Sequence, residues 1–265
     1  MLGVVLVDLG LALVLAGAIG VVRPVRMVGM STRARAAAVA LTGALVIACG
    51  FLVPAPEQLA AGADSRLDEV VPRWQFGERH EVRIHATPAL VGTAIRAVTA
   101  REIALYRVLT WLRHPRFPGR DEPASILAAP AGEPILAVAL RSGFMLLDEE
   151  PGREIVFGTL VATPPELRRL PAAERERLRA GFDAERFRTL AGPGYAKAVM
   201  SFRWSDEGGG WTRLVTETRV FATDAATARR FAVYWRLIYP GSSWIRRAWL
   251  AAIRTRAEAG PDADG

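Results

Sequence analysis

The chain has 265 residues, 51% of them hydrophobic and 23% charged, and a formal net charge of +7. That composition excludes a disordered or collagenous polymer and leaves room for one or two folded domains. Lys197 is the sole lysine among 34 basic residues and asparagine is absent, so the arginine excess reflects GC-rich coding and does not point to nucleic acid as a partner. One cysteine, Cys49, and three histidines, His80, His85 and His114, allow no internal disulfide and no cysteine-based zinc site; no metal and no cofactor is expected.

The first 53 residues read as a two-helix transmembrane hairpin. Leu2 to Val22 holds 21 residues with Asp8 as its single charge, about 31 Å at the helical rise, which matches a bilayer core. Ala36 to Val53 adds 18 uncharged residues before Pro54 and Pro56, about 27 Å. The connection carries Arg23, Arg26, Arg33 and Arg35 and no acid, whereas Glu57, Asp64, Asp68 and Glu69 follow the second helix. The positive-inside rule puts the connection in the cytoplasm and both termini outside, so the rest of the chain is expected on the outer face of the inner (cell) membrane. Asp8 lies near the outward end and can reach the interface. Gly3, Gly10 and Gly17 recur every seven residues and Ala36, Ala40, Ala44 and Ala48 every four, a spacing suited to a tight hairpin or to a homodimer through these helices.

A competing reading starts translation at Met30. Arg33 and Arg35, an apolar run and Val46-Ile47-Ala48-Cys49 resemble a bacterial lipoprotein signal, which would make Cys49 a lipidated anchor. Against it, Phe51, Leu52 and Val53 carry the apolar run past the cysteine.

Residues 54–73, with Pro54, Pro56 and Pro72 and no apolar period, read as a linker; residues 74–258 form one domain, and 259–265 a disordered tail. The domain opens with a strand, Glu78 to Ala86, alternating Val82, Ile84 and Ala86 against Glu81, Arg83 and His85. Thr87-Pro88 then caps a helix, and a second helix from Arg101 to Leu112 carries Ile103, Leu105, Tyr106, Leu109 and Leu112 on one stripe. Four further runs, 125–129, 135–140, 143–148 and 154–161, are separated by Pro or Gly turns and predict an antiparallel meander. Residues 163–190 hold twelve charges, with Leu167, Leu170, Leu178, Phe182 and Phe187 at helical spacing, an amphipathic insertion that is either a solvated helix at the sheet edge or a lid. Tyr195 to Trp204 and Trp211 to Phe221 predict a strong hairpin. From Asp224, an N-cap, a long helix follows with Phe231, Ile238, Ile245 and Ala252 every seven residues; Pro240-Gly241 is expected to bend or split it, with Ser242 or Ser243 capping the second half.

This order, a strand, two short helices, about six antiparallel strands and a long terminal helix, resembles the START/Bet v1-like (SRPBCC) superfamily. The stretch His80-Glu81-Val82-Arg83-Ile84-His85-Ala86-Thr87-Pro88 looks like the opening of such proteins. Thr216-Glu217-Thr218-Arg219-Val220, Tyr234-Trp235-Arg236 and Ile245-Arg246-Arg247 are similar to uncharacterised bacterial members. The resemblance covers residues 78–258, leaves out the hairpin and does not account for the 163–190 insertion. It implies an α+β helix-grip fold, a curved antiparallel sheet around the terminal helix, with a cavity for a lipid or other apolar small molecule.

The candidate ligand-binding residues are Trp204, Glu217, Arg219, Tyr234, Trp235 and Tyr239. On the strand 211–221, Trp211, Arg213, Val215, Glu217, Arg219 and Phe221 share one face and Thr212, Leu214, Thr216, Thr218 and Val220 the other, and either face can line the cavity. Inward, Glu217 and Arg219 would orient a polar head or serve a cyclase or hydratase-like enzyme as acid and electrophile; outward, they would form a salt bridge. Tyr234, Trp235 and Tyr239 would roof the pocket or belong to a core. His80 and His85 fall on opposite faces of one strand and cannot share a ligand. No serine stands in a nucleophile elbow and no glycine loop leads to a lysine, which argues against a serine hydrolase or a P-loop. Binding is thus favoured over catalysis. A protein-interaction module of the cell envelope, its cavity filled by side chains, is the third reading.

Overall fold

The computed structural model describes residues 2–22, 32–106, 110 and 129–260. Arg23, Arg26, Met30, Leu109, Leu112, His114, most of the expected strand at 125–129 and the tail after 260 lie outside them. The chain divides into two compact units, Met1–Pro56 with Arg229–Pro240, and Glu57–Ala228 with Gly241–Gly265.

In the first unit, α1 (Leu2–Val22) and α2 (Arg33–Leu52) are each long and apolar enough to cross a membrane. Thr32 caps α2, its side chain accepting from Arg35 N at 3.3 Å, so the helix starts ahead of Ala36. The two helices run antiparallel on a glycine seam. A Cβ placed on Gly10 would lie 2.7 Å from Gly43 O, and one on Gly17 2.7 Å from Ala36 O. Only hydrogen fits at those positions, which lets the backbones approach. On α2 the seam is Ala36, Gly43 and Gly50, all buried at heptad spacing. Of the four-residue alanine series, Ala36 and Ala40 lie at the contact, against Gly17, whereas Ala44 and Ala48 are exposed. Asp8 is half-buried on α1, and Arg33, Arg35 and Cys49 are exposed on α2.

The second unit is α+β. Residues 58–73, within the stretch 54–73 read from sequence as linker, and Trp74 hold β1 (Gln58–Leu59) paired with β2 (Arg73–Trp74), and between them α3 (Arg66–Val70) with Leu67, Val70 and Val71 buried. After β3 (Phe76–Ile84), Thr87 accepts from Leu90 N at 3.4 Å and opens α4 (Pro88–Ala97), as its cap chemistry predicts. The helix expected from Arg101 does not start there: residues 100–105 form turns, with Leu105 at φ 57° and Glu102 accepting from Thr99 N at 2.8 Å.

The run 135–140, expected as a strand, is α5 (Ile135–Arg141). Its buried residues Ile135, Leu136, Val138 and Ala139 fall at helical, not alternate, spacing. Next come β4 (Met145–Glu150) and β5 (Glu154–Ala162). The insertion forms three short helices, α6 (Pro165–Arg169), α7 (Ala172–Ala180) and α8 (Ala184–Thr189). Its apolar residues share no single stripe, since Leu178 is exposed while Phe187 is buried. Then β6 (Ala196–Gly208) and β7 (Trp211–Ala222) pair through Gly209 and Gly210, whose φ of 61° and 79° suit glycine. The chain ends in α9 (Ala225–Ala259), one helix that runs through Pro240 without interruption.

The sheet is antiparallel, in the order β3-β7-β6-β5-β4. Both of its faces are covered. One carries Ile84, Leu214, Phe202, Trp204, Ile155 and Phe157 against α4, α5 and the Trp249–Ala257 part of α9. The other carries Val156 and Val199 against Leu67, Val70, Val71 and Phe187.

Candidate functional site

The β3–β7 register sets Glu78 opposite Thr218, His80 opposite Thr216 and Val82 opposite Leu214. Because side chains alternate, these six point to the same side as Ile84, toward α9. That layer is apolar at the Ile84 end and polar at the Glu78 end. Glu78 is buried, accepts from Ser242 Oγ at 2.6 Å and lies 4.0 Å from Arg246 Nε. His80 Nε2 is 3.4 Å from Glu78 Oε2 and 3.3 Å from Ser243 Oγ, and Arg247 Nε donates to His80 Nδ1 at 3.5 Å. These partners assign the ring proton to Nε2, with the Nδ1 lone pair toward Arg247. Serine and carboxylate thus compete for one ring nitrogen, whereas nucleophile activation needs them on different ones. The cluster can orient a polar group but does not generate a nucleophile.

Beside it lies the aromatic part of the same layer. Phe202 meets Trp249 edge-on at 5.0 Å, and Arg246 stands 5.4 Å from the Trp249 ring centroid. Trp204 packs on α4, where a Cβ on Gly92 would come within 3.1 Å of its ring. Trp204 and Trp249 are each 2% exposed. Their Nε1 atoms, and the Oγ1 of buried Thr218, have no hydrogen-bond partner among the described residues. Thr216, by contrast, donates to Ser201 O at 3.0 Å.

The other expected residues are placed elsewhere. Glu217 and Arg219 lie on the face opposite α9, beneath the 58–74 segment. Arg219 pairs with Glu217 at 2.6 Å and Asp68 at 2.8 Å, donates to Val71 O at 3.3 Å and sits 3.8 Å above the Trp74 ring centroid. Its Nε is engaged by Glu217 on the same strand and its Nη1 by Asp68 and Val71 O of that segment, so the salt-bridge alternative applies. Tyr234, Trp235 and Tyr239 belong to the unit that contains the hairpin, where Tyr234 and Trp235 pack on Phe231 at ring separations of 5.5 and 6.2 Å and Tyr239 packs on Trp235 at 5.8 Å. The six residues therefore do not gather in one unit, and of them only Trp204 lies in the layer between the sheet and α9. His80 and His85 diverge as expected: His85 stacks on Trp211 at 4.7 Å.

Sequence reasoning missed Glu78, Thr218, Ser242, Ser243, Arg246 and Trp249. A signal existed for the first, since Glu78 and His80 share parity with Val82 and Ile84 on an inward face. Ser242 and Ser243 read from sequence as helix caps, but the helix does not break at Pro240.

Perturbed groups outside this layer hold the fold. Burial pushes the Glu154 carboxyl up although it accepts from Arg66 N and Leu67 N, at the start of α3. Burial lowers the Lys197 ammonium, which donates to Phe187 O at 3.3 Å and Arg188 O at 3.1 Å, at the end of α8. Four donated bonds from Gly194 N, Ala226 N, Thr227 N and Thr227 Oγ1 hold Asp224 far below the usual carboxylate range.

Compared with known proteins, the chain matches no protein-family model and no curated sequence.

Proposed function

We propose that the protein is a membrane-tethered binder of a lipid or similar amphipathic molecule, held between the sheet and residues 242–257 of α9. One observation carries the reading: Trp204 Nε1, Trp249 Nε1 and Thr218 Oγ1 are buried in that layer without partners among the described residues. Each such group costs about 1–3 kcal/mol, a cost that an apolar molecule carrying acceptor oxygens relieves. The Glu78, His80, Ser242 and Ser243 cluster at one end of the layer suits a polar head, Trp204 Nε1 and Trp249 Nε1 suit acceptor oxygens further along the molecule, and the Phe157 and Phe202 rings suit its apolar body.

The element order supports the helix-grip resemblance as part of this proposal. The opening long strand β3 pairs with β7, α4 and α5 follow it, and α9 closes the chain. Two apolar helices of spanning length support a two-pass anchor. Arg33 and Arg35 at the start of α2, against Glu57, Asp64, Asp68 and Glu69 after it, favour the domain on the outer face. Catalysis by Glu217 and Arg219 is disfavoured, since they face away from this layer. The interaction-module reading draws on the aromatic filling of the layer by Phe157, Phe202, Trp204 and Trp249.

The test strips full-length protein of lipid in mild detergent and titrates it with a monoacylglycerol, whose ester supplies acceptor oxygens below the head, carrying a fluorophore at the end of its acyl chain. The proposal expects saturable binding at one per chain, weakened about tenfold by Trp204→Phe, which deletes one donor. Non-saturable uptake that ignores Trp204→Phe would refute it and favour the interaction module.

A further inference from the structure

In the first unit, the 229–240 stretch of α9 is joined to one end of the helical hairpin. Buried Arg236 donates through Nη1 to Phe51 O at 3.1 Å and through Nη2 to Val53 O. These carbonyls lie at the C-terminal end of α2, where helix acceptors lack intrahelical partners and a cation complements the dipole. Arg236 also lies against the start of α1: a Cβ on Gly3 would come within 2.6 Å of its Nε. The start of α1 and the end of α2 are the same end of the antiparallel pair. Since α1 is about as long as a bilayer core is thick, that end lies where hydrocarbon gives way to headgroups.

The same stretch turns an apolar face outward. Val233 is 45%, Tyr234 40% and Leu237 53% exposed, at positions that share one side of a helix. One turn earlier, Arg229 and Arg230 are exposed. Phe231, Trp235 and Tyr239 stack alongside. Aromatic rings beside an exposed apolar face, flanked by arginine, are the composition of a segment seated in a membrane interface.

Resting on the membrane-spanning reading of α1 and α2, we infer that residues 229–240 form an interfacial segment, seated among lipid headgroups through Val233, Tyr234 and Leu237, with Arg229 and Arg230 toward lipid phosphates. The partner is the bilayer surface itself. Arg236 then holds the 229–240 stretch at the hairpin end formed by the start of α1 and the end of α2.

The test uses the full chain in phosphatidylcholine and phosphatidylglycerol vesicles, in a Cys49→Ser background. Leu237→Cys, Val233→Cys and Leu45→Cys are each labelled with an environment-sensitive fluorophore and challenged with lipids carrying a spin label shallow or deep in the acyl chain. The inference expects the probes at 233 and 237 to shift to the blue and lose most of their emission to the shallow quencher, and the probe at 45, mid-helix on α2, to lose it to the deep one. Quenching at 45 with water-like, unquenched emission at 233 and 237 overturns the inference and leaves the membrane-spanning reading standing. No quenching at 45 overturns both.

Discussion

Replacing Asp224 by alanine removes the best-defined junction in the sheet-bearing unit. Asp224 is the N-cap of α9 and accepts from Ala226 N and Thr227 N at 2.9 Å and from Thr227 Oγ1 at 2.7 Å. It also accepts from Gly194 N at 2.7 Å, tying the turn before β6 to the helix that follows β7. Loss of an N-cap costs about 0.5–2 kcal/mol, and a hydrogen bond to a charged acceptor about 1.5–3 kcal/mol, of which solvent screening leaves the lower part at this half-exposed site. Asp224→Ala is therefore expected to cost about 2–3 kcal/mol in urea unfolding of the full chain in detergent, followed by tryptophan fluorescence. Asp224→Asn keeps an acceptor oxygen and falls between.

The pH dependence has a definite sign. The folded carboxyl is held far below its ordinary value, so its contribution is fully present above the unfolded value of about 3.9 and drains away as pH falls toward the folded one. The wild-type chain loses stability more steeply than Asp224→Asn below about pH 4. An Asp224→Ala cost below about 0.5 kcal/mol, or parallel acid limbs for the two proteins, would refute the reasoning.

Gly43→Val forces a Cβ to within 2.7 Å of Gly10 O and is expected to weaken the hairpin by about 1–3 kcal/mol, read as earlier unfolding in an SDS titration. Arg219→Met removes the buried cation between Asp68, which keeps Ser65 Oγ, and Glu217, which keeps Arg79 at 4.0 Å, and costs about 3 kcal/mol in urea, with ligand occupancy of the folded fraction unchanged; reduced occupancy would return the pair to the binding site. Lys197 has its folded pKa lowered by burial, so the unfolded chain binds the extra proton and wild-type stability rises with pH toward about 10.4. Lys197→Met removes that rise, checked by unfolding midpoints between pH 7 and pH 10.

Local chemistry made part of this structure legible from sequence. Thr87-Pro88 and Asp224 announce their helices because a cap depends on a handful of neighbouring residues, and the Gly3, Gly10, Gly17 spacing announces the hairpin seam. The run Ile135 to Leu140 does not choose between strand and helix, because six consecutive apolar residues satisfy either period; only burial from several sides made it α5. The face of β7 was undecidable for a related reason. Alternation reveals the core when one face is wet, but the 58–74 segment and α8 cover the second face, so Arg219 is as buried as Thr218. The polar cluster was hidden by distance along the chain: Glu78 meets Ser242 across 164 residues.

Native mass spectrometry of the full-length protein, released gently from its own membrane, tests the central claim most directly. The account predicts one small-molecule adduct per chain, with acceptor oxygens and an apolar body, displaced when Trp204 and Trp249 are both replaced by phenylalanine. A bare polypeptide mass across replicate preparations from native membrane would contradict it.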